Sequence, residues 1–323
     1  MARKLLDQLR DVIRLKHYSY QTEKTYVHWA KRYILFHKKR HPKDMGRVEI
    51  EQFLTHLANQ GVAPPTQNQA FNAIIFLYNQ VLNISMENQN IQALRAKRRE
   101  RIPVVLSPEE VRSILSAIKN PTHHLMISLL YGCGLRISEL AGLRIMNLDF
   151  AYQTIHILDG KSMQDRTLPM PIKLIDGLNV QIEVAQRIHN KDLIDGFGSV
   201  YMPNALAKKY PKASKEFKWQ FLFPSSKIST DPRSGERRRH HFFPTNVSRV
   251  IKKATKAAGI SKKISAHTFR HSYATHMLQN GTDIRTIQSL LGHKDISTTM
   301  IYTHIVRQLS DKTVRSPLDF EIS

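Results

Sequence analysis

The sequence predicts a mainly helical protein of two domains, with a small β-hairpin in the second domain. Apolar residues recur at helical spacing through most of the first hundred positions and again after Ser265. A basic, proline-containing stretch interrupts this pattern at 94–105, and two short segments, QTIHILDG and RTLPMP, stand on either side of a turn. The length of 323 residues suits two domains better than one.

The first domain is expected over residues 1–93. Its large apolar side chains fall at helical spacing in three successive sets: Tyr26, Trp29, Tyr33 and Phe36; Phe53 and Leu57; and Ile74, Leu77, Tyr78 and Val81. This periodicity predicts helices that each bury one face.

Residues 94–105, LRAKRRERIPVV, are the expected linker. The segment holds five basic residues, one acidic residue and a proline, a composition typical of a connection between domains. A basic linker can cross a phosphate backbone, or it can be a solvated loop. The composition leaves both possibilities open.

The second domain is expected over 106–323. It opens with a capping box, in which the Ser107 side chain caps a helix and Glu110 bonds back to it. Two glycines later interrupt the helical pattern, and a new helix is expected to begin near Arg136. Lys161 lies in or beside the turn of the predicted hairpin.

The charge balance points to a polyanionic partner. The chain carries 49 Lys and Arg against 26 Asp and Glu, a formal net charge of +23, and both predicted domains are basic. Nucleic acid is the commonest polyanion that such a charge serves. A shared excess favours a protein that embraces a polyanion over a neutral enzyme with a basic tail, and the alternative is a merely basic soluble protein.

The same composition bears on location. The chain has no run of about 18 apolar residues, so no membrane span and no membrane partner are expected. Its first residues show no secretory signal. Cys133 is the one cysteine, which excludes an intramolecular disulfide and fits a reducing cytoplasm. We expect Cys133 to be a small buried apolar group.

Two familiar kinds of site are rejected. The residues DGKS at 159–162 resemble the end of a phosphate-binding P-loop, but Ile155 stands where the required glycine should be. His267 and His271 are four residues apart, but no third ligand follows at a convincing spacing, so no zinc site is expected. The sequence therefore predicts neither a metal nor another cofactor.

His267 and Arg270 form an HxxR motif, which places two cationic side chains on one helical face. The motif alone has little value, because HxxR also occurs at His37–Arg40 and His304–Arg307. Its surroundings distinguish the central copy. Four features accompany it in order: the segment GLRISEL with Arg136, the hairpin lysine Lys161, the segment LLGH with His293, and then Tyr302.

In this order, these residues resemble the tyrosine recombinase (phage integrase) family, over almost the whole chain. The resemblance implies a C-shaped, two-domain DNA clamp, in which a SAM-like core-binding domain precedes a catalytic domain with the tyrosine recombinase fold. It also implies six catalytic residues: Arg136, Lys161, His267, Arg270, His293 and Tyr302.

The resemblance assigns a role to each of the six. Tyr302 is the nucleophile, which attacks phosphorus and holds the DNA as a 3′-phosphotyrosine, so that no ATP is needed. Arg136 and Arg270 clamp the non-bridging oxygens, since a guanidinium presents a planar, permanently charged fork. Lys161 protonates the departing 5′-oxygen.

The two histidines complete the set. His267 acts as acid or base on the tyrosine proton, and His293 bonds the phosphate. Glu139, three residues after Arg136, is inferred from its spacing to brace that arginine. Each residue has an ordinary structural alternative when taken alone, and the order of the whole set selects the catalytic interpretation.

A narrower resemblance concerns the segment between the hairpin and HxxR, which is longer than in most of the family. NALAKKYPKASKEFKWQFLFPS resembles the helical insertion of integron integrases, expected at about 190–222. This resemblance implies integration and excision of gene cassettes, between a duplex attachment site and cassette sites used as folded single strands. It also implies a homotetramer on DNA, a segment at about 305–323 packed against a neighbour, and a bacterial, nucleoid-associated location.

The insertion suggests how an unpaired base is held. Aromatic or flat cationic surfaces beside phosphate-binding charges suit this task. The predicted DNA-binding residues are Lys209, Pro211, Trp219, Arg239, His240 and His241. Trp219 and the two histidines are expected to stack on extrahelical bases while Arg239 holds the backbone; a core position for Trp219 is the alternative.

Three other functions remain open. The first is an ordinary tyrosine recombinase on duplex DNA, of the phage integrase or dimer-resolving type. The second is a type IB topoisomerase, which shares much of the chemistry. The insertion argues against both. The third is a non-catalytic architectural DNA-binding protein, and the complete set of six catalytic residues argues against it.

Overall fold

The computed structural model describes residues 4–86, 103–158, 165–202, 206, 209, 210 and 212–309. The chain divides into two compact units, Met1–Arg101 and Ile102–Ser323. Lys161, Pro211, most of the expected linker and the end of the chain from residue 310 lie outside the described residues. Within the described ranges, no helix is long and apolar enough to cross a membrane.

The first unit is built from helices. Its α-helices are α1 (Leu5–Leu15), α2 (Tyr20–Phe36), α3 (Arg47–Asn59) and α4 (Pro64–Phe76), and α4 runs on into a wider turn at Leu77–Val81. The Ser19 side chain caps α2 by accepting from the Thr22 N–H at 3.1 Å. Of the first predicted aromatic set, Trp29 and Tyr33 are buried in one cluster with Phe53 and Phe71, whereas Phe36 is 37% exposed.

The second unit begins with three helices: α5 (Pro108–Ser116), α6 (Pro121–Gly132) and α7 (Ile137–Gly142). The predicted capping box is present, since the Ser107 N–H donates to Glu110 at 2.8 Å and the Ser107 hydroxyl accepts from the Glu110 N–H at 3.2 Å. Helix α6 is apolar on nearly every side and is buried along residues 125–130, so it forms the centre of the core.

The expected hairpin belongs to a three-stranded antiparallel sheet. Its strands are β1 (Leu148–Asp149), β2 (Thr154–Ile157) and β3 (Arg166–Pro169), in the order β1-β2-β3. In the β2–β3 register, Ile155 lies opposite Leu168 and Ile157 opposite Arg166. The loop that carries Lys161 joins these two strands but lies outside the described residues.

Helix α8 (Ile175–Ile194) follows the sheet and leads into the insertion. After the insertion come strands β4 (Pro224–Thr230) and β5 (Arg237–His241), an antiparallel pair that the sequence analysis did not predict. Strand β5 reads RRRHH, so it has no alternation of apolar and polar residues by which the sequence pattern could predict it.

Four helices complete the unit: α9 (Pro244–Ala257), α10 (Ala266–Gln279), α11 (Ile284–Leu291) and α12 (Ser297–Leu309). The side chain of Asp283 caps α11 by accepting from the Thr286 N–H at 2.9 Å. Gly292 ends α11 in the left-handed region, at φ +62°. Helix α10 packs on α6, α11 and α12, so its polar residues meet those of the α11 end and of α12.

Candidate active site

Arg136 stands immediately before helix α7, where one acidic residue fixes it in two ways. Its backbone N–H donates to Glu139 Oε2 at 2.8 Å, and its Nη1 donates to Glu139 Oε1 at 2.7 Å. The capping box therefore orients the arginine side chain as well as the helix end. This geometry agrees with the brace inferred from the Arg136–Glu139 spacing.

Glu139 is shared among three arginines. Besides Arg136, it accepts from Arg166 Nη1 at 3.1 Å and Nη2 at 2.7 Å, and Arg270 Nη1 lies 3.9 Å away. Burial alone would raise the pKa of this carboxyl, but the hydrogen bonds from Arg166 and Arg136 hold that pKa below its usual range. Glu139 therefore stays charged and offsets part of a dense group of cations.

The carbonyl end of helix α11 holds the same three arginines. Three successive carbonyl oxygens each accept one bond: Leu290 from Arg166 Nε at 2.8 Å, Leu291 from Arg270 Nη2 at 2.5 Å, and Gly292 from Arg136 Nη2 at 3.2 Å. A helix C-terminus carries partial negative charge and unpaired carbonyls, so it suits cations. The LLGH segment thus has a structural task in addition to supplying His293.

Two glycines permit this close packing. Gly134 has φ +60°, and a Cβ there would lie 2.5 Å from the Tyr273 ring; its carbonyl accepts from Arg270 Nη1 at 2.7 Å. At Gly292, with φ +62°, a Cβ would lie 3.1 Å from Arg166 Nη1. Both positions favour glycine for conformation as well as for space.

Arg270 is a buried member of the site, with 4% of its surface exposed. Burial, followed by the charge of Arg136, lowers its pKa to about 10, which still leaves it charged at neutral pH. The bonds to Gly134, Leu291 and His293 use three of the five N–H donors of its guanidinium. Arg136 is more exposed and forms the outer arm of the pair.

His293 has a defined tautomer because an arginine cannot accept a hydrogen bond. Arg270 Nη2 donates to His293 Nε2 at 3.1 Å, so the ring proton is on Nδ1 and is donated to Thr299 Oγ1 at 2.9 Å. Burial and the nearby charge of Arg270 lower the pKa of His293 to about 4. In this arrangement His293 is neutral and both of its ring nitrogens are engaged.

Tyr302 is 1% exposed, and its ring stacks on that of His293 with centroids 6.5 Å apart and planes at 16°. Its hydroxyl lies 3.1 Å from Nδ1 of His271. Burial raises the pKa of the hydroxyl, and the charges of Arg270 and Arg136 oppose that rise. The pKa is raised overall, so the hydroxyl is protonated here, and the two arginines offset part of the cost of the ionised form that an attack on phosphorus would require.

His267 lies in the first turn of α10, one helical turn before His271, and the two rings are 6.5 Å apart. Burial lowers its pKa, and Arg270 and Arg136 add to the effect. The structure thus brings Arg136, His267, Arg270, His293 and Tyr302 together, whereas Lys161 lies outside the described residues.

Trp219, which was predicted to contact a base, is buried inside the insertion. Trp219 is 8% exposed and packs with Val200, Met202 and Phe221 in a small core of the insertion. Its indole therefore has no free face for a base in this conformation, and the alternative core position describes it. The sequence left both positions open because an aromatic residue in a basic segment looks the same whether it packs inward or outward.

Arg239 is also turned inward. It forms two bonds to the buried carboxylate of Asp192, at 2.5 and 2.6 Å, and a third to the Ser225 carbonyl at 2.7 Å. The structure does not support the expectation that Arg239 binds the DNA backbone, because its guanidinium forms an ion pair with Asp192 that connects β5 to α8. The sequence concealed this pairing, since Asp192 lies 47 residues earlier.

His240 and His241 lie side by side on β5, with ring centroids 4.1 Å apart, and each is 5.3 Å from the Phe221 ring. Burial lowers the pKa of both, in His240 to about 4. Both are half-buried and neutral. Lys209 is exposed, with its Nζ 5.3 Å from the Tyr210 ring, and Pro211 lies outside the described residues.

The sequence analysis missed three residues with structural importance here. Arg144 donates to the Trp219 carbonyl and, at 2.7 Å, to the Tyr201 carbonyl, and its guanidinium lies 4.6 Å over the Phe221 ring. It therefore anchors the insertion to the rest of the second unit. Arg166 contacts Glu139 and the Leu290 carbonyl, and His271 contacts the Tyr302 hydroxyl, so both belong to the hydrogen-bonded cluster. The sequence analysis considered His271 only as a metal ligand, although its position directly after Arg270 of the HxxR motif could have indicated that it lies in the site.

Comparisons with known proteins cover both units of the chain. Residues 104–308 match the model of the phage integrase family, and residues 5–88 match the phage integrase N-terminal SAM-like domain. Proteins named integrase/recombinase from Escherichia coli and Pseudomonas aeruginosa are each 46% identical over 318 residues, which covers 98% of this chain and 93% of theirs. A tyrosine recombinase from Pseudothermotoga lettingae is 32% identical, over 82% of this chain and 80% of its own.

Solved structures match at the level of the fold. The lambda integrase dimer bound to a COC′ core site has a TM-score of 0.62 at 15% identity, over 96% of this chain and 79% of that one. The XerH recombinase in a post-cleavage complex with its difH substrate has a TM-score of 0.58 at 20% identity, over 95% of this chain and 83% of that one.

Proposed function

Since the chain belongs to the phage integrase family of tyrosine recombinases, we propose that it cuts and rejoins DNA through Tyr302, and that its substrates are gene-cassette recombination sites. The observation that carries the catalytic part is one hydrogen-bonded group. Arg136, Arg270 and His293 come from three distant segments, and Tyr302 stacks against the last of them.

The proposed chemistry follows from these residues. Tyr302 Oη attacks phosphorus, the bond to the 5′-oxygen breaks, and the strand stays attached as a 3′-phosphotyrosine. Arg136 and Arg270 bind the non-bridging oxygens with N–H donors beyond those already used, and their fixed positions stabilise the charge that develops on phosphorus. Lys161 donates a proton to the leaving 5′-oxygen. The covalent link keeps the energy of the broken bond, so rejoining needs no ATP.

The cassette specificity rests on the insertion. Its described residues have a small core of their own, which Arg144 ties to the rest of the unit. On its outside, Tyr210 is 47% exposed and Lys209 lies against its ring. An aromatic face beside a cation suits an unpaired base and its phosphate. We assign the capture of folded single strands to this outer surface, together with His241.

The remaining parts of the proposal concern assembly. Residues 1–93 serve as the core-binding domain, 94–105 as the linker and 106–323 as the catalytic domain. Four copies act on two DNA sites, one of them duplex, and exchange the segment at about 305–323. In this proposal, recombination takes place in the bacterial cytoplasm, where the protein associates with the nucleoid.

A second candidate is a recombinase of duplex DNA without preference for folded strands. Two observations favour it: Trp219 is in a core, and Arg239 is paired with Asp192. The sequence analysis had assigned base stacking to Trp219, with the two histidines, and backbone binding to Arg239. The named relative from Pseudothermotoga lettingae is described simply as a tyrosine recombinase.

One experiment separates the two candidates. A nicked suicide substrate is prepared as a folded cassette-site hairpin and as the corresponding full duplex, and covalent protein–DNA adducts are resolved by denaturing electrophoresis. Adducts that form mainly on the hairpin support the cassette function. Equal adducts on both substrates favour the duplex recombinase, and no adduct with either, while DNA is bound, would refute the catalytic proposal.

A further inference from the structure

Two imidazole rings lie beside the Tyr302 ring, those of His271 and His293, and the ring of His267 lies 6.5 Å from that of His271. The His293 ring lies nearly parallel to the tyrosine ring, with centroids 6.5 Å apart, whereas His267 and His271 project from successive turns of α10. The attack on phosphorus must remove the hydroxyl proton of Tyr302. The contacts of the three rings indicate which of them receives it.

His293 is not available for this task. Its Nε2 accepts from Arg270, and its Nδ1 donates to Thr299. To accept a further proton, Nε2 would have to give up the bond to Arg270 and place a second positive charge beside a guanidinium 3.1 Å away. Such a step would also remove one of the bonds that hold Arg270 in place.

His271 makes the direct contact. Its Nδ1 lies 3.1 Å from Tyr302 Oη, within the range of a hydrogen bond. His267 lies one turn earlier, and in the described part of the chain the ring nitrogen within hydrogen-bond distance of the tyrosine hydroxyl is that of His271. Tyr302 is 1% exposed, so bulk water does not replace the imidazole as a proton acceptor.

We propose that His271 is a catalytic residue, the general base that takes the proton of Tyr302 during strand cleavage and returns it during rejoining. This inference rests on the proposed function. In cleavage, the Oη–P bond forms as the P–O5′ bond breaks, and the proton moves from Oη to Nδ1 of His271. The leaving 5′-oxygen takes its proton from Lys161. Rejoining reverses each transfer, so atoms and charge balance.

The electrostatic surroundings make this transfer depend on the substrate. In the free protein, burial, then His267, then Arg270 lower the pKa of His271 to about 4. A bound phosphodiester brings negative charge to Arg270 and Arg136 and so offsets the cations that oppose an imidazolium. His271 thus becomes a better base when DNA occupies the site.

The test is the single-turnover cleavage rate of the nicked suicide substrate by His271→Asn. The asparagine oxygen can accept the hydrogen bond near the position of Nδ1 but cannot take a proton. A general base contributes roughly 10²–10⁴-fold, and we expect a loss in that range, with DNA affinity and melting temperature unchanged. A rate within about threefold of wild type would limit His271 to positioning and overturn the proposal.

The chain offers a matched control on the same helix. His276 Nδ1 lies 2.8 Å from the hydroxyl of Tyr131, outside the catalytic group. His276→Asn alters the same kind of contact, and cleavage is expected to stay within about threefold of wild type. If His276→Asn lowers the cleavage rate as much as His271→Asn does, any His→Asn substitution in α10 impairs cleavage, and the assignment of His271 is overturned.

A second substrate separates base from acid. Sulfur in place of the bridging 5′-oxygen gives a leaving group that needs no proton, so it relieves the loss of an acid but not of a base. His271→Asn is expected to stay slow on this substrate, and recovery to the wild-type rate would contradict the proposal. Wild-type protein that forms no adduct with either substrate would refute the proposed function itself.

A further variant covers the case in which asparagine destabilises the fold. His271→Ala leaves space for imidazole added to the solution. Cleavage that increases with imidazole concentration supports a proton-transfer role. A rate that imidazole leaves unchanged, at unchanged DNA binding, would overturn it.

Discussion

Glu139 accepts hydrogen bonds from both the backbone N–H and the guanidinium of Arg136, at 2.8 and 2.7 Å. The same carboxylate also holds Arg166 and lies near Arg270. A residue with no direct part in the chemistry thus determines the position of the arginine that would meet the phosphate. Its removal would leave a buried cluster of positive charge without its counter-ion.

Replacement of Glu139 by alanine is therefore expected to destabilise the protein by about 3–5 kcal/mol, the usual effect of breaking a buried ion pair. The measurement is the free energy of unfolding in urea at neutral pH. Glu109→Ala is the matched control, because Glu109 pairs with Arg112 at the same spacing and the same 2.7 Å distance, with side chains 69% and 70% exposed. The control should change stability very little.

The glycine at 134 provides a second test. Gly134→Ala places a Cβ 2.5 Å from the Tyr273 ring and in the left-handed region. We expect a loss of about 1–3 kcal/mol from the overlap, in addition to about 1–2 kcal/mol from the backbone. Gly259→Ala is the control, since its φ is +69° but nothing lies within 4 Å of a Cβ there. Equal losses in the two variants would contradict the packing argument.

The neutral histidines of β5 predict how stability changes with acidity. Burial and then His241 lower the pKa of His240 to about 4, from an ordinary 6.5. The unfolded chain then binds the proton more readily than the folded chain, so stability falls as pH decreases from about 6.5 to about 4. His240→Asn should reduce that fall, as measured by urea unfolding at pH 7.5 and pH 5.0. Identical pH dependence in variant and wild type would count against a half-buried His240 that is neutral in the folded protein.

Trp219→Ala is expected to act through the fold. The side chain is buried in the insertion core, and loss of a buried tryptophan costs about 3–5 kcal/mol. Binding to hairpin and duplex DNA should weaken to the same extent, with a lower melting temperature. Weaker hairpin binding alone, at an unchanged melting temperature, would restore the stacking role first predicted for Trp219.

Tyr210→Ala is expected to show the opposite pattern. The ring is 47% exposed, so the melting temperature should stay the same. If Tyr210 stacks on an unpaired base, affinity for the folded hairpin should fall by about 1–3 kcal/mol, with little change for duplex DNA. Fluorescence anisotropy with the two labelled substrates measures both values, and an equal loss on both would exclude base stacking.

The sequence identified the family and the fold class because both depend on residues whose type and order are specific. The spacing from HxxR through LLGH to Tyr302 is such a pattern, and the helical periodicity of the first unit is another. Each signal lies within one segment of the chain. Five of the six predicted catalytic residues meet in the described structure, and the sixth, Lys161, lies outside it.

The sequence could not reveal which charges are paired inside the protein. Arg166 bonds Glu139 across 27 residues, and Arg239 bonds Asp192 across 47. From composition, both arginines looked the same as cations free for DNA. The contact between His271 and Tyr302 spans 31 residues and forms only when α10 and α12 pack together. Such contacts depend on tertiary structure, so a pattern within one segment of the sequence does not predict them.

The most direct test of the account is the identity of the residue that becomes bonded to DNA. Wild-type protein is trapped on a nicked suicide substrate and digested, and the peptide that carries the nucleotide is sequenced by mass spectrometry. The expected result is a 3′-phosphoryl link to the Tyr302 oxygen, with no adduct from Tyr302→Phe. A DNA link at any other residue, or an adduct that persists in Tyr302→Phe, would contradict the central claim.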